Sequence, residues 1–121
     1  MRNNFLSNTC KGKGAEMKIF LDDERNPPDD TWVVARSPED FKELWENFHD
    51  DITAISFDHD LQDNHDPELT GYTCLCWIEK DYRNNSCMQL PKLYIHTWNP
   101  VGRRRLQLAI DSLHALERLC A

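Results

Sequence analysis

The stretch at positions 52–60, ITAISFDHD, decides the fold of this sequence. Its first six residues are mostly apolar and rich in strand-forming side chains, and they predict a strand that is buried on both faces. Buried strands of this kind are typical of parallel sheets covered by helices. The run ends in three polar residues, Asp58, His59 and Asp60. Because open α/β sheets bind ligands at the carboxyl ends of their strands, these three residues are the first candidates for a functional site.

Strands and helices alternate on both sides of this stretch. The predicted elements are strands at 17–21, 31–36, 52–57 and 92–97, and helices that begin after Ser37, at Gly71 and after Asn99. This order predicts an α/β protein with an open, mostly parallel four-stranded sheet. Residues 23–30 are too few for a helical crossover, so the second strand either runs antiparallel to the first or lies at the sheet edge.

The composition indicates a small acidic protein. The chain has 121 residues, with 14 Lys+Arg and 21 Asp+Glu, and a formal net charge of -7. This length predicts a single domain at 17–121, after a polar leader at 1–16 that we expect to be disordered. No apolar run approaches the roughly 18 residues that span a bilayer, so no membrane contact is expected. The acidity argues against an extended nucleic-acid surface, but a small phosphate ligand remains compatible if a metal ion bridges it to carboxylates.

Three predicted strands end in chemically reactive side chains. Asp22 and Asp23 follow the first strand, and Asp58 and Asp60 follow the third. If the strands are parallel neighbours, these carboxylates meet at one edge of the sheet. Close carboxylates repel one another unless a cation or a proton relieves them, and hard cations prefer oxygen ligands. The four aspartates are therefore the candidate ligands of Mg²⁺ or Mn²⁺.

The fourth strand adds His96 and Thr97, and Asn99 opens the next helix. Histidine titrates near neutral pH, so His59 and His96 are candidate proton donors or acceptors. The alternative is that each makes a structural hydrogen bond. The helix that Asn99 opens suits an anion, and Arg103 in its first turns either faces a phosphate or belongs to a solvated face. Trp98 either stacks on a base or packs.

Several of these motifs together resemble a known family. The stretches are MKIFLDDER at 17–25, ISFDHDL at 55–61, a Gly71-Tyr72 helix start, and HTWNPVGR at 96–103. They resemble the cyclic-phosphate-processing receiver-like family, an enzymatic relative of the receiver domains of response regulators. The resemblance covers about residues 17–111. Signalling receivers carry a Lys on a fifth strand, which this sequence lacks, so a phosphorelay role is not expected.

The resemblance implies an abridged receiver-like (flavodoxin-like) three-layer sandwich with an acidic metal site. It also implies activity on a cyclic phosphate, either a 2′,3′-cyclic RNA end or a cyclic nucleotide signal, in RNA repair or phage–host conflict. Thr97 matches the Ser/Thr of the receiver fourth strand. The odd count of five cysteines favours reduced thiols. A bacterial or phage-infected cytoplasm fits both the reduced thiols and the family resemblance.

The leading hypothesis is a Mg²⁺- or Mn²⁺-dependent phosphoesterase that acts on a cyclic phosphate. In it the aspartates hold the metal, with Asp58 either a ligand or a nucleophile, and His59 and His96 handle protons. The substrate-orienting residues are Arg25, Thr97, Asn99 and Arg103. One alternative is a non-catalytic module that binds a cyclic nucleotide or an RNA end, and another is a degenerate receiver that docks to a protein. The apolar length of the last helix either supports a homodimer or belongs to the core.

Overall fold

The computed structural model describes residues 16–61, 69–85 and 88–120, and the predicted leader at 1–16 lies almost wholly outside them. The elements are β1 (Met17–Leu21), β2 (Trp32–Ala35), α1 (Pro38–Phe48), β3 (Ile52–Phe57), α2 (Gly71–Asn84), β4 (Lys92–Ile95) and α3 (Pro100–Cys120). The strand order is β2-β1-β3-β4, and each neighbouring pair is parallel. The predicted α/β receiver-like fold with an open four-stranded sheet is confirmed.

The second strand lies at the sheet edge, as one of the two alternatives predicted, and the antiparallel alternative is wrong. The ten residues 22–31 connect β1 to β2 without a helix. An extended chain of ten residues spans up to ~33 Å, whereas a strand of five residues is only about 17 Å long. The connection can therefore return to the start of the sheet by itself, and a helical crossover is unnecessary.

All three described helices contribute to one core on one face of the sheet. The sheet supplies Ile19, Leu21, Ile55 and Phe57 to that face, and the helices add apolar residues such as Phe41, Leu75 and Leu106. The register places Phe20 and Ser56 on the opposite face, where the structure describes no helix. Within the described residues, the β1–β2 connection carries no helix that could cover this second face.

Helix starts follow the predicted capping residues. The Ser37 side chain accepts a hydrogen bond from the Asp40 backbone N–H, and Pro38 opens α1. Asn99 caps α3 in the same way, directly before Pro100. Within the described ranges, no helix combines the length and apolar character that crossing a membrane requires.

Candidate metal and phosphate site

A cleft of about 330 Å³ opens at the carboxyl ends of β1, β3 and β4. Its lining residues are Asp22, Asp23, Glu24, Arg25, Asp58, Asp60, Thr97, Trp98 and Asn99. Five carboxylates and one guanidinium give this lining a formal charge of −4. The structure therefore brings most of the predicted strand-end residues together, whereas His59, His96 and Arg103 do not line the cleft.

Asp22 is fixed by hydrogen bonds to both of its carboxylate oxygens. Its Oδ1 accepts from the backbone N–H groups of Glu24 and Arg25, at 2.9 and 2.8 Å. Its Oδ2 lies 3.0 Å from His96 Nε2 and 3.2 Å from Arg25 Nε. Burial by itself raises the pKa of Asp22, but these hydrogen bonds and the Arg25 charge outweigh it and hold the pKa below its ordinary value. Asp22 is thus a buried, ionised carboxylate of fixed orientation.

Asp58, directly after β3, is crowded by the charge of Asp22. Burial raises the pKa of Asp58, the Asp22 charge raises it further, and a hydrogen bond with Thr97 only partly opposes both. One oxygen from each of Asp22, Asp23 and Asp58 can lie within 4.8 Å of the other two. Oxygens on opposite sides of a bound Mg²⁺ are about 4 Å apart, so small movements bring all three into contact with one ion. The three carboxylates fit a hard divalent cation, whose charge would relieve their repulsion.

The positive group beside these carboxylates is the Arg25 guanidinium. Its Nε lies 3.2 Å from Asp22 Oδ2, and its Nη2 lies 3.8 Å from Asp58 Oδ2. The same guanidinium lies over the Trp98 ring, with Cζ 5.7 Å from the ring centroid. The side chain is 39% exposed, so it also faces the open cleft. Arg25 is therefore able to contact an incoming anion from its present position.

His96 lies behind Asp22, outside the cleft lining. Its Nδ1 is 2.7 Å from Ser56 Oγ, its Nε2 is 3.0 Å from Asp22 Oδ2, and its ring stacks on Phe20 with centroids 4.2 Å apart. Burial lowers the pKa of His96, although Asp22 opposes that shift. A neutral ring that donates from Nε2 to Asp22 and accepts at Nδ1 from Ser56 satisfies all three groups. In this arrangement His96 orients a carboxylate, and its catalytic role stays a prediction.

His59 is buried between β3 and α3. Its Nδ1 lies 2.9 Å from Asp60 Oδ1, and its Nε2 is buried without a hydrogen-bond partner among the described residues. A Cβ at Gly102 would lie 2.5 Å from the Cγ of this ring, so only glycine allows α3 to approach so closely. The geometry fits the tautomer that carries its proton on Nδ1 and donates it to Asp60. His59 thus holds Asp60 from behind.

Asp60 lines the cleft but stands outside the group of three carboxylates that fit one cation. Asn99 Nδ2 donates to Asp60 Oδ2 at 3.2 Å, and Asn99 Oδ1 accepts from the backbone N–H groups of Val101 and Gly102. The hydrogen bond from His59 is the main cause that lowers the pKa of Asp60. Two backbone N–H groups in the first turn of α3 thus donate to the side chain of the capping residue Asn99. Arg103 is exposed on α3.

Two residues that support the cleft were missed from the sequence. Arg36 Nη1 donates to the backbone carbonyls of Asp22 and Arg25, at 3.2 and 2.7 Å, and so holds the loop after β1. Ser56 fixes the ring of His96. The available signal for Ser56 was a serine near the end of the mostly apolar strand 52–57. The loop contact of Arg36 has no local sequence signature.

Comparison with known proteins agrees with this architecture at the level of the family. No curated protein and no solved structure is significantly similar to the chain. A family model does match, and it covers residues 17–112, which include every strand and the whole cleft. The chain therefore belongs to the family described as the cyclic-phosphate processing receiver domain.

Proposed function

We propose that the protein is a metal-dependent phosphoesterase that opens a cyclic phosphate in the acidic cleft. The observation that supports it most is the group of Asp22, Asp23 and Asp58. Each of these residues offers one carboxylate oxygen that lies within 4.8 Å of an oxygen of the other two. The cleft lining carries a formal charge of −4, so a phosphate anion alone is repelled. Held by these three carboxylates, a Mg²⁺ or Mn²⁺ ion would supply positive charge to offset the phosphate and the charge that develops on the leaving oxygen.

The reaction adds one water to the ring. The water oxygen bonds to phosphorus, one ester P–O bond of the ring breaks, and the released sugar oxygen takes up a proton. Arg25 donates hydrogen bonds to the phosphate oxygens, because its guanidinium already lies at the cleft opening. Asp60, held by His59 Nδ1 and Asn99 Nδ2, offers Oδ2 as an acceptor that orients the attacking water.

A direct assay tests this proposal. The purified chain is incubated with Mg²⁺ or Mn²⁺ and a panel of 2′,3′-cyclic and 3′,5′-cyclic nucleotides, and phosphorus NMR follows conversion of the cyclic diester to a monoester. We expect metal-dependent turnover that Asp58→Asn abolishes and Asp111→Asn preserves, since Asp111 is an equally charged but exposed residue on α3. Absence of both turnover and metal binding contradicts the proposal.

A second function, binding without chemistry, is favoured by one specific observation. Neither His59 nor His96 lines the cleft, and each already makes a hydrogen bond to an aspartate. A site that binds its ligand without chemistry needs no group to deliver a proton. Calorimetry with the same nucleotides separates the two functions, because recovery of the bound ligand intact supports the binding module and its conversion supports the enzyme.

A further inference from the structure

The most exposed large apolar side chain in the described part of the chain lies at the acidic cleft. Trp98 is 84% exposed, and Val101, three residues later, is 70% exposed. The other three tryptophans, Trp32, Trp45 and Trp77, are intermediate or buried. Isolated apolar residues are common on protein surfaces, so exposure alone carries no conclusion. The position of Trp98 does carry a conclusion, because this ring is part of the cleft wall.

Trp98 is joined to the phosphate-binding part of the cleft through a single side chain. The Arg25 guanidinium lies over the ring at 5.7 Å, and the same group contacts Asp22 and Asp58. The ring and the carboxylates therefore contact the same guanidinium and lie several ångströms apart. A nucleotide places its planar base and its phosphate a comparable distance apart, on either side of the sugar. The cation covers one part of the ring, while its high exposure leaves the rest open to a ligand.

We infer that Trp98 is the stacking platform for a base and that the ligand of the cleft is a nucleotide rather than a phosphate without a base. The inference rests on the proposed function and names its substrate class. Tryptophan offers a large flat surface on which any base stacks, so the platform selects for the presence of a base and not for its identity. Arg25, which lies against Trp98, then contacts the phosphate of the same ligand.

The test is a comparison of two probes by calorimetry in the presence of Mg²⁺. One probe is adenosine 2′,3′-cyclic phosphate, and the other is methyl riboside 2,3-cyclic phosphate, which keeps the sugar and the ring but lacks the base. Trp98→Ala is expected to weaken binding of the first probe about tenfold and to leave the second unchanged. Trp98→Phe retains a ring and is expected to restore most of the affinity.

Fluorescence supplies an independent measurement. Stacking of adenine on Trp98 is expected to quench the tryptophan emission of the wild-type protein, and the quenching disappears in Trp98→Phe although the ligand still binds. Equal affinity of wild type and Trp98→Ala for the nucleotide overturns the inference. A change from dimer to monomer in Trp98→Ala also overturns it, since the ring then belongs to an interface between copies.

The two proposals fail in different ways. Nucleotide that binds through Trp98 but is recovered intact contradicts the enzyme and supports the stacking platform. Turnover of both probes at equal efficiency in Trp98→Ala and wild type supports the enzyme and contradicts the platform. A wild-type protein that binds neither probe overturns both.

Discussion

Replacement of His96 separates an orienting role from proton transfer. His96→Phe keeps a ring that stacks on Phe20 but removes both nitrogens. The bond from Nε2 to the ionised Asp22 is charge-assisted, and its loss costs about 1.5–3 kcal/mol. Ser56, which is 7% exposed, also loses the acceptor of its hydroxyl, at a further cost of about 1–3 kcal/mol. We therefore expect the metal-free variant to lose about 4 kcal/mol in free energy of unfolding, measured in urea.

His96→Gln is the matched variant, because its side-chain amide still offers an N–H group to Asp22 but does not titrate. If His96 orients Asp22, this variant keeps its Mn²⁺ affinity, measured by calorimetry, and keeps turnover within about tenfold of wild type. If His96 transfers a proton, turnover falls by about 10²–10⁴-fold while metal affinity is unchanged. That second result refutes the orienting role and supports the catalytic role predicted from the sequence. A His96→Phe protein as stable as wild type refutes the energetic argument itself.

Three further predictions concern the cleft and its surroundings. Arg25→Gln is expected to bind Mn²⁺ several-fold more tightly and phosphate at least tenfold more weakly, both measured by calorimetry. Gly71→Ala is expected to destabilise the protein by about 2 kcal/mol in urea, because the added Cβ would lie 2.0 Å from the backbone oxygen of Asp58; a stabilised variant, as helix propensity alone predicts, contradicts this packing. At pH 8 a thiol reagent is expected to label the exposed Cys76 and to spare Cys74, because burial raises the pKa of Cys74 well above its ordinary value. Peptide mass spectrometry measures the difference in labelling, and equal labelling of the two thiols contradicts the burial of Cys74.

The order of the elements and the meeting of the strand ends could be predicted from the sequence, because both follow from local patterns. Apolar runs and capping residues identify the elements, and parallel pairing then places Asp22, Asp58 and Thr97 at one edge. The direction of β2 could not be deduced, since it depends on the loop at 22–31, which Arg36, directly after β2, holds by hydrogen bonds to two of its carbonyls.

The orientation of the histidines was beyond local reasoning for a related cause. A histidine at a strand end faces either the ligand or the protein interior, and the choice depends on partners that are distant in sequence. His96 is held by Ser56, which is 40 residues away, and by Asp22, which is 74 residues away. His59, in the loop after β3, is directed by the absence of a side chain at Gly102 in α3. The residue types were recognisable from the sequence, but their contacts were a property of the packed fold.

The expected behaviour of Arg25 follows from competition for the same oxygens. Both oxygens of Asp22 are already engaged, and Arg25 Nε occupies one position on Oδ2. Removing the guanidinium therefore frees a ligand position and removes a positive charge that repels the incoming metal ion. A metal ion that displaces the guanidinium from the carboxylates leaves more of its N–H groups free for a phosphate, so we expect metal and phosphate to assist each other in the wild-type protein, and by linkage the effect is reciprocal. Phosphate is thus expected to tighten Mn²⁺ binding in wild type and to do so far less in Arg25→Gln, whereas Arg118→Gln, which removes the same charge from the far end of α3, leaves the coupling intact.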